Sequence, residues 1–275
     1  MRPFPALVDP ACFFLSLTHR DALAALLYAA AHRSPLSMLS GPPGVGKTAV
    51  AAALIWRTER LRAPLLPLRL ADPFLSPAGV LSALARRIAP DALPLGREAQ
   101  LEALAGALRR LHARGATPLL LLDDAHRLET ETLEQLRALV EWTAGGDPLL
   151  PLVLLGPPSL EERLALTAPA SLPQMLEVQA RLEPLRPAEV AAYVEFRWRH
   201  AGLGAHPFTR AALGALAEAS GGVPRNIHCL CRLALGQAGA AGAARVGAEW
   251  FQAPAARSRR GSQRAVVAMG QAAHA

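Results

Sequence analysis

Lysine is nearly absent from this chain: of the 29 basic residues among 275, only Lys47 is a lysine and the other 28 are arginines. Aromatic residues are also scarce, at 5%, while hydrophobic residues make up 52% of the sequence. A chain with this much apolar material can bury a sizeable core, which excludes a globally disordered protein. The prevalence of alanine and leucine favours a helix-rich fold.

Cysteines and long apolar runs are scarce as well. Three cysteines do not make a disulfide framework, and Cys229 and Cys231 lack a second ligand pair at zinc spacing, which indicates a buried pair of reduced thiols. No apolar run approaches the ~18 to 20 residues that span a bilayer, and the N-terminus lacks the basic region and apolar run of a signal peptide. These absences predict a cytoplasmic protein without a membrane span.

The positive charge is concentrated at the C-terminus. The formal net charge is +7, and residues 251–275 hold four arginines and no acidic residue, so removing these four charges leaves about +3 for the rest. We expect this stretch to be a disordered, solvated tail, with contact to nucleic acid or acidic lipid as the alternative.

Apolar runs and helical periodicity alternate along the first two thirds of the chain. Strands are predicted at 36–40, 63–70, 117–126, 149–155 and 176–183. Helices are predicted at 21–33, 47–60, 77–89, 97–114, 130–143 and 159–166. The first helix would be capped by Thr18 or Asp21. Strands that alternate with helices predict an α/β fold with a parallel sheet covered by helices.

The pattern changes near residue 185, after which three helical segments follow one another with no strand between them. The sequence therefore predicts three parts. Residues 1–185 are expected to form an α/β domain, residues 186–250 a small all-helical domain, and residues 251–275 the basic tail.

The stretch LSGPPGVGKTAV, residues 39–50, matches the phosphate-binding P-loop pattern G-x-x-x-x-G-K-[ST] at every fixed position. Glycines let the backbone curl so that its N–H groups point at phosphate oxygens, and the following helix adds the positive end of its dipole. The slim ammonium of Lys47 can reach between the β- and γ-phosphates where a guanidinium is too bulky, which explains why a lysine is kept here. The residues expected to bind nucleotide are Gly41, Pro42, Pro43, Gly44, Val45, Gly46, Lys47, Thr48 and Ala49.

A predicted strand that ends on two carboxylates, Asp123 and Asp124, supplies the second half of such a site. Asp123 and the hydroxyl of Thr48 are expected to hold Mg²⁺, with Asp123 facing the P-loop across adjoining strands. Asp124 stands where many ATPases carry a glutamate that polarises water. Aspartate falls ~1 Å short, and misplacement on that scale can cost ~10²-fold in rate. ATP is favoured over GTP because a guanine-binding N-K-x-D pattern would need a second lysine.

Six segments resemble, in the same order, the ExeA/MshM-like AAA+ ATPases of general secretion and MSHA-type pilus biogenesis. The transposition helper TniB is a more distant relative, and the resemblance covers about residues 12–240. The segments are residues 14–24, the P-loop, LLLLDDAHRL (119–128), LVLLGPPSLEERL (152–164), LEPLRPAEVAAYVEFRWRHAG (182–202) and ASGGVPRNIHCLCRLAL (219–235).

The resemblance implies an AAA+ fold, with a parallel five-stranded sheet flanked by helices and then a small helical lid. It implies ATP and Mg²⁺ as cofactors and a homo-oligomer. It also implies that Arg225 is a sensor arginine reaching from the lid to the γ-phosphate, so that Lys47, Asp123, Asp124 and Arg225 are the catalytic candidates. Residues 14–20 would line the adenine pocket through backbone contacts, although packing alone is an equal explanation for Phe13 and Phe14.

Three departures from the family pattern bear on hydrolysis. Besides Asp124, the family's GQPEL reads GPPSL at 156–160, and Pro157 has no amide side chain to sense the γ-phosphate. Met175 and Gln179 stand where the family carries arginines, so an arginine finger is lost there unless Arg163 or Arg181 replaces it. Such fingers contribute ~10³ to 10⁵ in rate elsewhere. The sequence therefore supports nucleotide binding more strongly than it supports hydrolysis.

The favoured function is a cytoplasmic ATPase that couples nucleotide state to assembly of a secretion or pilus apparatus, with weak hydrolysis and the proteins of that apparatus as partners. One alternative is a DNA-associated transposition helper, because of the basic tail and Arg109, Arg110 and Arg114. The other is a nucleotide-gated binding module without turnover.

Overall fold

The computed structural model describes residues 3–4, 12–58, 65–70, 72, 74–93, 96–166 and 171–251. The chain divides into two compact units: Leu7–Pro184, and Met1–Ala6 together with Leu185–Ala275. The predicted basic tail, apart from its first residue, lies outside the described residues.

A five-stranded parallel sheet forms the centre of the Leu7–Pro184 unit. The predicted α/β class is therefore confirmed. The strands are β1 Leu36–Ser40, β2 Leu65–Leu70, β3 Thr117–Leu122, β6 Leu152–Gly156 and β7 Leu176–Arg181. Their order across the sheet is β2-β3-β6-β1-β7. β6 lies between β1 and β3, so the expectation that the P-loop strand and the aspartate strand adjoin is wrong. An alternating strand–helix pattern fixes parallel pairing but leaves the order of the strands open.

Successive residues of the central strands alternate between two apolar cores, one on each face of the sheet. Met38, Leu120 and Leu154 belong to one core, and their chain neighbours Leu39 and Leu155 belong to the other. Every residue of β1, β3 and β6 is buried, as expected for parallel strands covered on both sides. The carboxyl ends of these strands consequently share one rigid edge.

Helices cover both faces of this sheet, and most of them agree with the sequence-based prediction. They are α1 Leu17–Ala31, α2 Lys47–Thr58, α3 Pro77–Ile88, α4 Arg97–Ala113, α5 Thr130–Val140, α6 Ser159–Leu166 and the short α7 Ser171–Gln174. The predicted cap of the first helix is wrong: the side chain of Ser16, not of Thr18 or Asp21, accepts the N–H of His19. A hydroxyl in this position satisfies one of the unpaired N–H groups at the start of a helix.

A short hairpin replaces the end of the helix predicted at 130–143. Helix α5 stops at Val140, and β4 Thr143–Ala144 pairs antiparallel with β5 Asp147–Pro148. The two residues between them are Gly145 and Gly146, with φ of +63° and +91°. Two successive glycines with positive φ form the turn that suits a two-residue hairpin.

The second unit is helical, with α8 Pro187–His200, α9 Arg210–Ser220 and α10 Pro224–Ala240. The ring of Phe4, which is 2% exposed, lies 5.5 Å from the ring of His228 and 6.4 Å from that of Trp198. Arg197 Nε also donates to the carbonyl of Pro3 at 3.2 Å. These N-terminal residues therefore pack in the helical unit, although the sequence-based division placed them with the P-loop.

Candidate nucleotide site

The P-loop follows β1 directly and leads into α2. The N–H of Gly41 donates to the carbonyl of Gly156 at 3.2 Å, which joins the start of the loop to the end of β6. Gly44 and Gly46 have φ of +78° and +119°, a region that L side chains rarely adopt. A Cβ added to Gly41 would lie 2.7 Å from the carbonyl oxygen of Leu182. Glycine is therefore required at Gly44 and Gly46 because of the backbone conformation, and at Gly41 because a side chain would clash.

The side chain of Lys47 is buried inside the loop. Its Nζ donates to the carbonyl of Gly41 at 2.7 Å and to that of Pro42 at 3.1 Å. The ammonium is thus positioned within the curl of the P-loop by the loop's own carbonyls. An anion placed against the loop's N–H groups would meet this cation directly.

The hydroxyl of Thr48 and the carboxylate of Asp123 are brought together across β6. Thr48 Oγ1 donates to Asp123 Oδ2 at 2.9 Å. A hydroxyl and a carboxylate are hard oxygen donors of the kind that Mg²⁺ prefers beside nucleotide phosphates. The donor set therefore fits the metal predicted for this site. Asp123 Oδ2 also accepts from Arg69 at 2.9 Å, a residue that our sequence analysis missed although it stands near the end of β2, at the same edge of the sheet.

Asp124 lies at the start of a short 3₁₀ helix, Ala125–Arg127, in the left-handed conformation with φ of +51° and ψ of +35°. Its side chain is exposed, and its N–H donates to Asp123 Oδ1 at 3.1 Å. Nearby, burial lowers the pKa of His126, and the positive charges of Arg127, Lys47 and Arg163 lower it further while Asp124 opposes them. These effects together favour the neutral form of the imidazole.

His19 lies in the segment 14–20 that the resemblance assigned to the adenine pocket, but sequence reasoning missed its contact with the P-loop. It is 4% exposed, its Nδ1 lies 2.7 Å from Ser16 Oγ, and its Nε2 lies 3.0 Å from the carbonyl oxygen of Val45. A Cβ on Gly46 would lie 2.7 Å from the same Nε2. His19 thus supports the P-loop from α1. The signal was available, because His19 shares the buried helical face of Leu23 and Leu26.

The residues that depart from the family pattern occupy different environments. Pro157 caps the start of α6 through its carbonyl, which accepts the N–H of Leu160 at 2.9 Å. Met175 packs against the apolar core that contains Met38, whereas Gln179 is exposed on β7. Neither Pro157 nor Met175 offers a polar side chain for a phosphate.

The two arginines considered as replacement fingers also differ. The guanidinium of Arg163 donates to the carbonyls of His126 and Leu128, so it holds the segment that follows the two aspartates. Arg181 is exposed at the end of β7. Arg163 therefore has a role inside its own unit, and Arg181 is the better candidate for contact with a neighbouring molecule.

Arg225 is exposed in the first turn of α10, which begins at Pro224. The chain reaches this helix through Gly222, whose carbonyl accepts the N–H of Leu185 at 2.9 Å. A Cβ on Gly222, where φ is +70°, would lie 2.0 Å from the carbonyl oxygen of Leu185. The neighbouring Gly221 has φ of +58° and no atom within 4 Å of such a Cβ. The backbone conformation favours glycine at both positions, and at Gly222 a side chain would in addition clash with Leu185.

We expect Gly222→Ala to lower the free energy of unfolding of the helical unit by about 3 kcal/mol, because a backbone clash adds to left-handed strain. Gly221→Ala is the matched control and should cost only about 1 kcal/mol, the price of the conformation alone. Urea unfolding followed by circular dichroism measures both. Equal losses in the two variants would contradict the steric explanation.

The cysteines follow the prediction only in part. Cys231 is buried, and burial raises the pKa of its thiol to about 12, whereas Cys229 is exposed, so the two are not a buried pair. Residues two apart on a helix point in different directions. Within the described residues there is no group of three or more His, Cys, Asp or Glu side chains placed to hold a metal ion.

Residues 31–164 match the family model described as an AAA domain. With the sheet and the P-loop described above, the chain has the fold of the AAA+ P-loop ATPases. Proteins of this class bind nucleoside triphosphates and, as a class, hydrolyse them. General secretion pathway protein A of Aeromonas hydrophila is 33% identical over 240 residues, which cover 85% of this chain and 42% of that protein. The resemblance to ExeA-like AAA+ ATPases is confirmed, and the chain spans less than half the length of this relative.

Solved structures show the same fold at lower identity. The ORC2 protein of Aeropyrum pernix, in its ADPNP–ADP complexes, has a TM-score of 0.68 at 17% identity over 94% of this chain and 72% of that one. The ORC1 protein of the same organism, in complex with DNA, has a TM-score of 0.62 at 23% identity over 86% and 64%. In the part of the chain that the structure describes, we find no helix both long and apolar enough to cross a membrane.

Proposed function

We propose that this protein binds Mg·ATP at the P-loop and uses the nucleotide state to change its interaction with components of a secretion or pilus apparatus. The observation that carries the proposal is the contact between Thr48 and Asp123 beside the buried ammonium of Lys47. Together these residues offer a cation for phosphate and two oxygen donors for magnesium. A cytoplasmic location, a ring of like subunits and a sensor role for Arg225 belong to the same proposal.

Two likenesses support the particular ligand and partner. ORC2 of Aeropyrum pernix was solved with ADPNP and ADP, which are adenine nucleotides. The relative from Aeromonas hydrophila is named for the general secretion pathway. Slow turnover is part of the proposal, because the side chain of Asp124 is short and Pro157 and Met175 offer no polar group.

The ligand is tested by competition on the purified full chain. A fluorescent, non-hydrolysable ATP analogue is displaced by ATP or GTP in excess Mg²⁺, and we expect ATP to bind at least ~10-fold more tightly, ~1.4 kcal/mol. Phosphate release is then measured for each nucleotide. Equal affinities would remove the adenine preference, and the absence of any binding would remove the function.

The partner is tested in the host organism. Deletion of the gene should reduce secreted proteins or surface pili, and only a copy with an intact nucleotide site should restore them. DNA binding decides the transposition-helper alternative: affinity that is present at ~50 mM salt and falls steeply as salt rises would favour it. Normal secretion and piliation in the deletion strain would contradict the secretion proposal.

A further inference from the structure

Arg69 lies near the carboxyl end of β2 and is paired in register with Leu121 of β3. Asp123 follows two residues after Leu121, so the parallel pairing brings the arginine and the aspartate to the same edge of the sheet. Arg69 donates one of its terminal N–H groups to Asp123 Oδ2 at 2.9 Å. The side chain of Asp123 is 12% exposed and that of Arg69 is 36% exposed. The ion pair is therefore partly shielded from water, although its arginine can still reach solvent.

Both oxygens of Asp123 already have protein donors. Oδ2 accepts from Thr48 and from Arg69, each at 2.9 Å, and Oδ1 accepts from the N–H of Asp124 at 3.1 Å. The oxygen that Arg69 contacts is the one beside the hydroxyl of Thr48, where the predicted metal needs an oxygen donor. Two cations near one carboxylate repel each other, and water screens this pair only in part. Arg69 and Mg²⁺ consequently compete for Asp123.

Among the described residues, Asp123 is the one hydrogen-bonding partner of the Arg69 guanidinium. Its Nε is buried and has no hydrogen-bond partner among the described residues. Displacing Arg69 from Asp123 therefore breaks one partly exposed ion pair, an interaction of modest strength. Such a contact can give way when a divalent ion arrives with nucleotide.

We propose that Arg69 is the counter-ion of Asp123 in the metal-free site and that it raises the Mg²⁺ concentration at which the nucleotide site takes up its metal. This inference rests on the proposed binding of Mg·ATP. Without metal, Arg69 neutralises a carboxylate that would otherwise repel the triphosphate. With metal, the same charge opposes Mg²⁺. Arg69 thus acts through Asp123, and it makes nucleotide affinity depend less on magnesium.

The test compares dissociation constants for a fluorescent, non-hydrolysable ATP analogue in excess Mg²⁺ and in EDTA. The ratio of the EDTA value to the Mg²⁺ value measures how strongly metal assists binding. In Arg69→Gln we expect this ratio to rise by about 5- to 10-fold, because metal-free binding weakens and metal-dependent binding does not. The midpoint of a Mg²⁺ titration at fixed analogue should fall correspondingly. Neither measurement depends on hydrolysis.

Two further variants make the test specific. Arg87→Gln removes the same charge from an exposed position on α3 and should leave the ratio unchanged. Replacing Asp123 by Asn removes the shared carboxylate, so in that background Arg69→Gln should no longer raise the ratio. If Arg69→Gln is misfolded by circular dichroism, Arg69→Met retains the aliphatic part of the side chain and tests the same ratio.

An unchanged ratio in a folded Arg69 variant overturns the inference while leaving the proposed function intact, since the parent protein still binds. An equal rise in Arg87→Gln overturns it as well, because the effect would then be one of net charge. Failure of the parent protein to bind the analogue in Mg²⁺ rejects the proposed function itself.

Discussion

Replacement of Lys47 by alanine should weaken ATP binding by about 10²-fold or more. The ammonium lies inside the P-loop, and charge-assisted hydrogen bonds contribute about 1.5 to 3 kcal/mol each, so loss of two phosphate contacts is enough for this effect. Calorimetric titration with ATP and excess Mg²⁺ measures it. The result follows from the position of Nζ and does not require that the protein hydrolyses ATP.

Lys47→Arg should fail nearly as badly, although it keeps the charge. The lysine is buried against the carbonyls of Gly41 and Pro42, where a planar guanidinium has no room. Arg57→Ala, in the last turn of the same helix, is the control and should bind as the parent does. If Lys47→Ala binds ATP with the affinity of the parent protein, the proposed nucleotide site is wrong. If Lys47→Arg does so, the explanation for the single lysine is wrong.

The second large effect is expected from Asp124→Glu, which should raise steady-state phosphate release by up to about 10²-fold. The added methylene moves the carboxylate ~1 Å further, and placement on that scale can change a rate by this factor. The side chain is exposed, so the longer residue has space. A phosphate-release assay at saturating ATP measures the change.

The same substitution should cost about 1 kcal/mol of stability. Asp124 has a left-handed backbone conformation, which aspartate tolerates better than glutamate does. We therefore expect turnover to rise while the midpoint of thermal unfolding falls by about 2 to 4 °C. Asp124→Asn, which keeps the backbone preference and removes the charge, is the control. Unchanged turnover in Asp124→Glu would show that carboxylate length is not limiting and would direct attention to the missing arginines.

Local sequence patterns predicted the elements that carry the phosphate chemistry. The P-loop, with β1 before it and α2 after it, lies where its glycine pattern placed it, and the all-apolar run before Asp123 forms the buried strand β3. These features depend on residues that are neighbours in the chain. A motif in which glycine, lysine and threonine have fixed spacing leaves few structural alternatives.

Apart from the meeting of Thr48 and Asp123, which the P-loop motif and the family resemblance implied, contacts between distant segments were not predicted. The placement of β6 between β1 and β3 is decided by packing of whole layers, because Leu and Val strands are interchangeable in pattern. The contact of His19 with Val45 and that of Arg69 with Asp123 join residues 26 and 54 positions apart. A sequence pattern can indicate that a side chain is buried, as the helical face of His19 does, but it does not show which distant residue that side chain contacts.

The buried ammonium of Lys47 also makes this chain a convenient substrate for chemical labelling. Because no other side chain carries a primary amine, an amine-selective reagent has one side-chain target in this sequence. That target sits against two backbone carbonyls within the phosphate loop. The mass of a single peptide would then report whether a ligand shields the loop, without any engineered probe.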